Sequence, residues 1–362
     1  MDPQTVFCPN SACPARGQLG RGNIGIQSQQ EHRYRCSLCQ ETFSERVGTP
    51  FYRCRVPPET ITLVLTLVSH GCPVLAIVAA FGFQSRSVRR WIAAAGEHCQ
   101  QFHEDQVRPQ DLGQVQADEL RVKLQGRVVW LAMALAVPSR LWLGAVVSPR
   151  RDRHLLLAIA TKVRAWALAA ALLVAVDGLA GYVDAFRRAF RSPEPTGKGG
   201  RPPLIPWPGI VIGQVIKRYE RRRMVGVERW LAQGSEAEAQ TLLAETQGGG
   251  VLNTAFIERL NATFRTRLSL LVRRTRRLGR CPAALEAAVY LIGCIYNFCS
   301  EHRSLPVGGQ VATPAILSGL TDHCWTVAEL LWYRVPPPPW QPPKRRGRRS
   351  RAELELLARW AT

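Results

Sequence analysis

The most restrictive feature of this 362-residue chain is the order of strand-like and helix-like patterns between residues 112 and 177. Three strand candidates, GQVQADELRVKL, GRVVWLAMALAV and RLWLGAVV, follow one another across short polar turns, which predicts an antiparallel meander. A helix pattern, DRHLLLAIATKVRAWALAA, then leads into ALLVAV, a continuous apolar run typical of a strand buried on both faces. A strand reached through a crossover helix lies parallel to the first, so the region is predicted to form a mixed α/β sheet flanked by helices.

Two acidic residues hold marked positions in this order of elements. Asp118 lies on the first strand, and Asp177 lies at the carboxyl end of the fourth. Ligand and metal sites gather at the carboxyl ends of strands in open α/β sheets. Two carboxylates brought close together either raise the pKa of one of them or require a cation, and Mg²⁺ is the usual cation because it accepts a few carboxylates beside water and phosphate oxygens. The pattern therefore predicts a magnesium site that contains both residues.

A third carboxylate is expected from a helix packed against the sheet, and Glu258 in NTAFIERLNATFRTRL suits that position. Glu258, Asn261 and Arg265 share one line at the border of the apolar stripe of this helix. Metal ions held by such acids can activate the attacking oxygen and stabilise the leaving one in phosphoryl transfer on DNA, and for that chemistry Asn261 and Arg265 are expected beside the phosphate. Farther along, Arg273 and Arg277 are expected to follow the DNA backbone. The apolar stripe consists of Ile257, Leu260, Phe264, Leu268 and Leu271.

Alternatives to this three-acid site stay open. Glu258 could be a surface group that pairs with Arg265 or Arg259 at helical spacing. Glu119 and Asp184 are rival acids. Alternation along the strand predicts that Glu119 faces the other side of the sheet, and Asp184 lies a helical turn or two beyond the strand end.

The first 55 residues contain two short-spaced cysteine pairs. Four residues separate Cys8 from Cys13, and two separate Cys36 from Cys39. Two such pairs can place four thiolates tetrahedrally around one structural Zn²⁺, which would stabilise a lobe too small to fold on its core alone. Scattered free thiols are the alternative, and buried free thiols are the interpretation for the other seven of the 11 cysteines.

The segment VLAIVAAFGFQSRSVRRWIAAAG, from Val74, has the layout of a helix-turn-helix. An apolar helix meets a turn at Gly82, and a polar start opens a second helix whose apolar positions fall on one face. The exposed side of the second helix would then reach base edges and phosphates through Ser85, Arg86, Arg89 and Arg90. Bihelical units without a DNA function are the alternative.

The chain carries a net charge of +21, far beyond what solubility requires. A polyanionic partner is the simplest cause, because each Lys or Arg that neutralises a phosphate also releases counterions; an anionic membrane surface is the rival. The most apolar stretch, residues 165–176, is shorter than the ~20 residues that cross a bilayer, and the N-terminus has no signal-peptide layout. We therefore expect double-stranded DNA as the partner, no membrane, and a cytoplasmic, nucleoid-associated location.

Composition shifts divide the chain into four predicted parts. Residues 1–55 form the cysteine-bearing module, and residues 57–105 form the helix-turn-helix. Residues 112–300 form the α/β region, with a Pro/Gly-rich insertion at about 191–250. Residues 301–362 form a C-terminal extension with a Pro-rich linker and a basic tail.

These motifs resemble bacterial insertion-sequence transposases. The cysteine pairs with YRCSLCQETFSERVGTPFY and the helix-turn-helix resemble the zinc-ribbon N-terminus of such enzymes. QADELRVKL, LLVAVDGLAGY and LNTAFIERLNATFRTRLSLLVRRTRR resemble the three acidic blocks of their DDE catalytic domain, and YNFCSEHRSL with TPAILSGL resembles the region after the last acid. The insertion-sequence-one group is the nearest type. The likeness covers most of residues 5 to 320 and is most specific around Glu258.

The resemblance implies a multidomain protein: a zinc ribbon, a helix-turn-helix and a ribonuclease-H-like catalytic core. It implies that Asp118, Asp177 and Glu258 coordinate Mg²⁺ or Mn²⁺, and that water is activated to nick the element's terminal inverted repeats. The freed 3′ hydroxyl then attacks target DNA, within a homodimer or larger synaptic complex. No covalent enzyme intermediate is implied.

Three points stay open at this level. The stretch between Asp177 and Glu258 is long for a minimal member, and within it Lys217 and the arginines at 221–223 could contact DNA or form a solvated basic face. A DNA-binding transcriptional regulator without cleavage activity is the second hypothesis. A non-specific nuclease of the same fold is the third.

Overall fold

A computed structural model describes residues 1–195, 197, 200–221, 223–273, 278–307, 310–342 and 347–360, with the backbone alone at 306, 307 and 310. Contacts between Cα atoms divide the chain into two compact units. The first unit joins Met1–Thr62 to Leu331–Thr362, and the second is Leu63–Leu330.

The described residues form the following regular elements. The strands are β1 (Ile24–Ser28), β2 (Arg33–Cys36), β3 (Thr42–Ser44), β4 (Gln114–Leu124), β5 (Arg127–Ala136), β6 (Trp142–Ser148), β7 (Leu172–Asp177), β8 (Arg191–Pro193), β9 (Leu204–Pro206), β10 (Ile210–Glu220), β11 (Arg223–Gln233), β12 (His302–Val307) and β13 (Gln310–Ala312). The helices are α1 (Pro58–Ser69), α2 (Val74–Phe81), α3 (Ser85–Gln106), α4 (Arg153–Trp166), α5 (Ala180–Ala189), α6 (Glu236–Gln247), α7 (Ala255–Arg267), α8 (Pro282–Cys294), α9 (Pro314–Leu317), α10 (Val327–Trp332) and α11 (Arg351–Trp360). Two 3₁₀ turns (Pro3–Thr5, Ser269–Leu271) and a π-helical turn (Ile295–Cys299) complete them.

The second unit is built on a six-stranded mixed sheet with the order β11-β10-β7-β4-β5-β6. Strands β4, β5 and β6 form the predicted antiparallel meander, and β7 lies parallel to β4. β10 is parallel to β7, and β11 returns antiparallel to β10 as the edge strand. The predicted mixed sheet flanked by helices is confirmed. The stretch at 191–250, set apart above as an insertion, includes two strands of this sheet, because the apolar GIVIGQV run of β10 is buried beside β7.

Helices cover both faces of the sheet. On one face, α4 and α5 bury Ile159 and Phe186 against Val115, Ala117 and Val174. On the other face, α6 packs against Leu173, Ala175 and Val211 of the central strands. Helix α7 lies against β4 and β5. A sheet covered on both faces explains why β7 is apolar throughout rather than alternating.

The predicted helix-turn-helix segment forms α2 and α3. Gly82 adopts the left-handed conformation that ends α2 (φ 70°), and glycine is the residue that takes this conformation at least cost. α3 runs for 22 residues, and its second half packs along α8 within the unit that contains the sheet. The Val88 and Trp91 side chains are buried as the periodicity predicts, and Trp91 meets Phe83 edge to face at 5.2 Å.

One helical stretch of the described residues, Pro282–Cys299, is long and apolar enough to cross a membrane by composition alone, and 67% of it is buried inside the protein. It forms α8 and the π-helical turn, which pack against α3 and β6. This burial is typical of a core helix.

The C-terminal residues belong to the first unit rather than forming a separate tail. The Trp332 ring lies 4.9 Å from the Phe51 ring, and Arg334 donates two hydrogen bonds to the carbonyl oxygen of Glu45. Trp360, at the end of α11, is buried in the core of the cysteine-bearing lobe, and Gln18 donates to its carbonyl oxygen at 2.7 Å. The extension at 301–362, predicted as a linker and a basic tail, therefore contains a helix that completes the first unit.

Candidate functional site

The three predicted acids line one open cleft of about 450 Å³ in the second unit. Asp118 comes from β4, Asp177 from the end of β7 and Glu258 from the first turn of α7. Two cationic side chains, Arg151 and Lys217, line the same cleft. Residues far apart in the chain thus meet at the carboxyl end of β7, where the topology predicted a site.

Strand register brings Asp118 and Asp177 level with each other. Gln116 of β4 pairs with Ala175 of β7, so two further residues along each parallel strand reach Asp118 and Asp177. Asp177 is fixed in place because its Oδ1 accepts from the Leu179 N–H at 3.0 Å and its carbonyl oxygen accepts from Gln214 at 3.0 Å. β7 ends there, and the opening between β4 and the start of α5 becomes the cleft.

The Asp118 carboxylate accepts two hydrogen bonds, from the N–H of Glu119 at 2.8 Å and from Nδ2 of Asn261 at 2.7 Å. Burial and the nearby Glu119, Asp177 and Glu258 charges nevertheless raise the pKa of Asp118 to about 6. The Oδ1 atom of Asn261 is buried without a hydrogen-bond partner among the described residues. The clustered carboxylates and the unsatisfied amide oxygen are oxygen ligands of the kind that a hard cation uses.

Glu258 takes its place through contacts at the start of α7. Lys217 of β10 and the Thr254 hydroxyl both donate to Glu258 Oε1, the latter at 2.7 Å. Partial burial alone would raise the pKa of Glu258, but these two donors outweigh it and lower the pKa below its usual range. The partner of Glu258 is therefore a lysine from the neighbouring strand, and neither Arg265 nor Arg259 of its own helix forms the expected pair among the described ion pairs.

Glu119 faces the α5 side of the sheet, as alternation predicted, but it still reaches the acidic cluster. Tyr182 donates to its Oε2 at 2.5 Å, and Arg151 bridges Glu119 and Asp177, with an Nη2–Oδ2 distance of 3.5 Å to Asp177. One carboxylate oxygen each of Asp118, Glu119 and Asp177 lies within 4.8 Å of the others, a spacing that could hold a metal ion. Glu258 lines the same cleft outside this close group.

Sequence reasoning missed Gln116 and Arg151. Gln116 is fully buried; it donates to the Asn253 carbonyl at 2.7 Å and accepts from the Ile257 N–H at 2.9 Å, which ties β4 to the start of α7. A polar residue two positions before Asp118 in a buried strand was the available signal. Arg151 follows β6, and nothing in its local spacing indicated its position in the cleft.

The four predicted cysteines form a second cluster, in the first unit. Cys8 Sγ lies 3.6 Å from Cys39 Sγ, and Cys13 Sγ lies 3.9 Å from Cys36 Sγ. Four thiolates held tetrahedrally at about 2.3 Å from zinc lie roughly 3.8 Å apart, so the observed spacing fits a structural zinc ion. Burial raises the pKa of Cys13 to about 12. The same effect at Cys36 is outweighed by hydrogen bonds from the N–H groups of Cys39 and Leu38 and from the Asn23 amide, which lower its pKa to about 7.

The predicted DNA-contacting residues lie in different settings. Arg86, Arg89 and Arg90 are exposed near the start of α3, where Ser85 is half-buried, and Arg273 is exposed after α7. Arg265 is half-buried, and burial followed by the Arg273 charge lowers its pKa. Asn261 is only 2% exposed, so its contact with Asp118, rather than with DNA, is the role its position supports. Arg277 lies outside the described residues.

The arrangement can bind a hard cation through carboxylates, and it places arginine and lysine side chains where a phosphate would approach that cation. Neither the comparison with known protein families nor the comparison with curated protein sequences finds a match for this chain.

Proposed function

We propose that this protein is a DDE-type DNA transposase of an insertion sequence. It would bind terminal inverted repeats and catalyse metal-dependent DNA strand cleavage, followed by strand transfer into target DNA. The observation that carries the proposal is the convergence of Asp118, Asp177 and Glu258 in one cleft from two adjacent parallel strands and a helix packed on the sheet. The antiparallel meander followed by parallel strands supports a ribonuclease-H-like core.

The residues of the cleft have distinct roles in this proposal. Asp118 and Asp177, with Glu258 beside them, would hold Mg²⁺ or Mn²⁺. Bound there, the metal would activate the attacking oxygen and stabilise the leaving one. Asn261 positions the Asp118 carboxylate, and Gln116 positions the helix that carries Glu258.

Arg151 and Lys217 supply positive charge beside these acids. Arg151 is oriented by Glu119, which is itself held by Tyr182, so its guanidinium has a fixed approach to the cleft. Lys217 contacts Glu258 from the opposite wall. In the proposed reaction, both side chains would face the DNA phosphates that approach the metal held by the acids. A guanidinium suits a phosphate because it can donate two parallel hydrogen bonds.

The remaining parts of the chain fit DNA recognition. The Cys8, Cys13, Cys36 and Cys39 cluster is proposed to hold a structural zinc ion in a zinc ribbon, and α2 with α3 is proposed to be the helix-turn-helix. Pairing two DNA ends in one assembly requires a homodimer or larger synaptic complex. The proposed location is the cytoplasm, at the nucleoid.

The decisive experiment is a nicking and strand-transfer assay with the full-length protein. Duplex DNA carrying the inverted repeats that flank the gene is compared with a scrambled duplex, while Mg²⁺ or Mn²⁺ is titrated. D118A, D177A and E258A should each lose cleavage by more than about 100-fold, since loss of an outer contact to a metal site alone costs about 10- to 100-fold. DNA binding by the three variants should persist.

D184A is the matched control, because Asp184 is an exposed acid on α5 that pairs with Arg188 and lies outside the cleft. It should cut like the unmodified protein. Binding without cutting at any metal concentration would favour the transcriptional-regulator hypothesis. Equal cutting of scrambled DNA would favour a non-specific nuclease, and unchanged strand transfer by E258A would remove the central claim.

A further inference from the structure

Strands β10 and β11 continue past the end of the sheet as a free two-stranded ribbon. The last residue of β10 paired to β7 is Val215, opposite Asp177. Beyond it, Ile216–Glu220 and Arg223–Glu228 pair only with each other among the described residues. Five residues at about 3.3 Å each project roughly 16 Å from the edge of the cleft. We call this ribbon, residues 216–221 and 223–228, the β10–β11 arm.

The base of the arm packs on the sheet unit through Val227, but the outer part of the arm does not. All described residues from 218 to 225 are exposed, including Tyr219 at 61% and Met224 at 56%. An isolated two-stranded ribbon is only marginally stable in water. The exposed aromatic and apolar side chains on it leave apolar surface in contact with water, which costs free energy and does not help solubility. A surface of this kind is explained by a partner that covers it.

The two faces of the arm differ in charge. Side chains alternate along a strand, so Tyr219 shares the face of Lys217, the residue that contacts Glu258 in the cleft. Met224 pairs directly with Tyr219 across the ribbon and lies on that face too. The opposite face carries the Arg218–Glu228 ion pair. The face on the cleft side therefore presents a cation, an aromatic ring and a thioether. The described carboxylates of the arm, Glu220 and Glu228, lie on the opposite face by alternation.

The tip of the arm is basic where a turn would ordinarily favour glycine or asparagine. Two residues, both arginine in the sequence, connect Glu220 to Arg223. Arg221 has a left-handed backbone (φ 43°), a conformation that tight hairpin turns reserve mostly for Gly, Asn or Asp. Arg221 and Arg223 have no ion pair among the described residues. An arginine that keeps a strained backbone conformation at an exposed tip suggests that its charge has a function there.

We infer that the β10–β11 arm is a DNA-binding element that holds the duplex next to the cleft. Arg221 and Arg223 contact phosphates, and Tyr219 with Met224 packs against sugar and base edges on the side continuous with Lys217. A two-stranded ribbon fits the major groove, which is about 12 Å wide, and the net charge of +21 complements a polyanion. The inference rests on the proposed function only in taking DNA as the ligand, not in requiring cleavage.

The test measures the salt dependence of DNA affinity. A fluorescently labelled random-sequence duplex is titrated with full-length protein across a series of salt concentrations, and R221Q/R223Q, Y219A and the unmodified protein are compared. Losing two phosphate contacts should lower the slope of log affinity against log salt by about two. The affinity advantage of the unmodified protein over R221Q/R223Q should then shrink about tenfold between roughly 50 and 200 mM salt. Y219A should weaken binding several-fold with an unchanged slope.

R108Q is the matched control, because Arg108 is an exposed arginine that precedes β4, at the end of the sheet away from the cleft. It should change neither affinity nor slope. Thermal unfolding midpoints should match in all variants, since each altered side chain is exposed. A wild-type slope in R221Q/R223Q overturns the inference. If R221Q/R223Q or Y219A changes the sedimentation coefficient of the protein but not its DNA binding, the inference is also overturned. The arm is then assigned to contact between copies of the chain. Failure of the wild-type protein to cut DNA, with the slope change present, would reject the cleavage proposal and leave the arm as a DNA-binding element.

Discussion

Asp118 lies among Glu119, Asp177 and Glu258 in a partly buried position, and this packing decides when it ionises. Its pKa is raised from 3.8 to about 6, chiefly by burial and then by the Glu119 charge. An acid whose pKa is higher in the folded protein than in the unfolded chain destabilises the fold at pH values above the folded pKa. The reason is that the ionised form is less favourable in the folded protein than in the unfolded chain. This difference in pKa corresponds to about 3 kcal/mol of destabilisation at neutral pH. The cleft therefore keeps a charge that the fold would be more stable without.

D118N should stabilise the protein at pH 7.5 by up to about 3 kcal/mol in buffer free of Mg²⁺ and Mn²⁺, while abolishing cleavage. The amide introduced there can be accommodated because the buried Asn261 Oδ1 has no partner among the described residues and can accept a hydrogen bond after a flip of that side chain. The measurement is chemical denaturation at a series of pH values. The stability gap should be full above about pH 6, narrow as the pH falls and vanish only below about pH 3, where Asp118 is protonated in both the folded and the unfolded state.

D184N serves as the comparison for this substitution. Asp184 is exposed, pairs with Arg188 within its own helix and lies outside the cleft, so its removal should leave stability within about 0.5 kcal/mol at every pH. A stability gap for D118N that did not change between pH 7.5 and pH 4 would contradict the electrostatic account.

At the scale of elements, one glutamine joins the strand of Asp118 to the helix of Glu258. Gln116 makes two hydrogen bonds to the start of α7, and Asn261 adds a third contact by donating to Asp118. These bonds fix the helix lengthwise along β4, which apolar packing alone does not do because it is non-directional. The separation of the acids in the cleft thus depends on a residue that is not itself acidic.

Q116L should cost about 1–3 kcal/mol of stability, because it leaves the Ile257 N–H buried without an acceptor. It should reduce cleavage far more than DNA binding, since α7 is released from its register against β4. The measurements are denaturant unfolding, DNA affinity and cleavage rate on one preparation.

Q114L is the matched control for Q116L. Gln114 is equally buried on the same face of β4, but it accepts a hydrogen bond from Thr246 of α6 instead of holding α7. Q114L leaves no backbone N–H without an acceptor, and the Thr246 hydroxyl still donates to the Leu242 carbonyl oxygen, so a smaller loss of stability and normal cleavage are expected. Equal loss of cleavage in the two variants would show that stability, not the placement of Glu258, is what Gln116 provides.

At the scale of the whole molecule, the two ends of the chain form one folded unit. Trp360 and Leu356 of α11 pack with Tyr34, Phe43 and the cysteine cluster. Gly17 has a left-handed backbone (φ 73°), and a Cβ there would lie 2.7 Å from the Pro337 carbonyl oxygen, so the Pro-rich segment approaches a position that admits only glycine. A lobe too small for its own core gains apolar surface from residues more than three hundred positions away.

W360A should destabilise this unit by about 3 kcal/mol, the usual cost of removing a buried tryptophan. Hydrogen–deuterium exchange of the full chain should show faster exchange in β1–β3, with the mixed sheet of the other unit unchanged. L354A, an exposed residue of the same helix, should exchange like the unmodified protein. If exchange in β1–β3 did not respond to W360A, α11 would be only a loosely attached tail.

The amino-acid sequence by itself determined the elements and their chemical character. Alternation and apolar runs identified β4, β5, β6 and β7, and the cysteine spacing identified a four-thiol cluster. These features are local. A strand, a helix face or a short-spaced cysteine pair is defined by the residues of one short stretch, about a dozen residues long, so its periodicity is visible in the sequence. The parallel placement of β7 beside β4 could also be predicted, because a crossover connection permits few arrangements.

The tertiary structure alone decided which side chains meet. Arg151 reaches Asp177, Lys217 takes the place expected of a helical arginine beside Glu258, and Gln116 clamps α7, all across separations of more than twenty residues. It also turned Asn261 inward and brought Trp360 to the first strands. Such contacts depend on the register, twist and side-chain packing of elements that are distant in the chain. The residues next to a side chain in the sequence therefore do not indicate which contacts it makes.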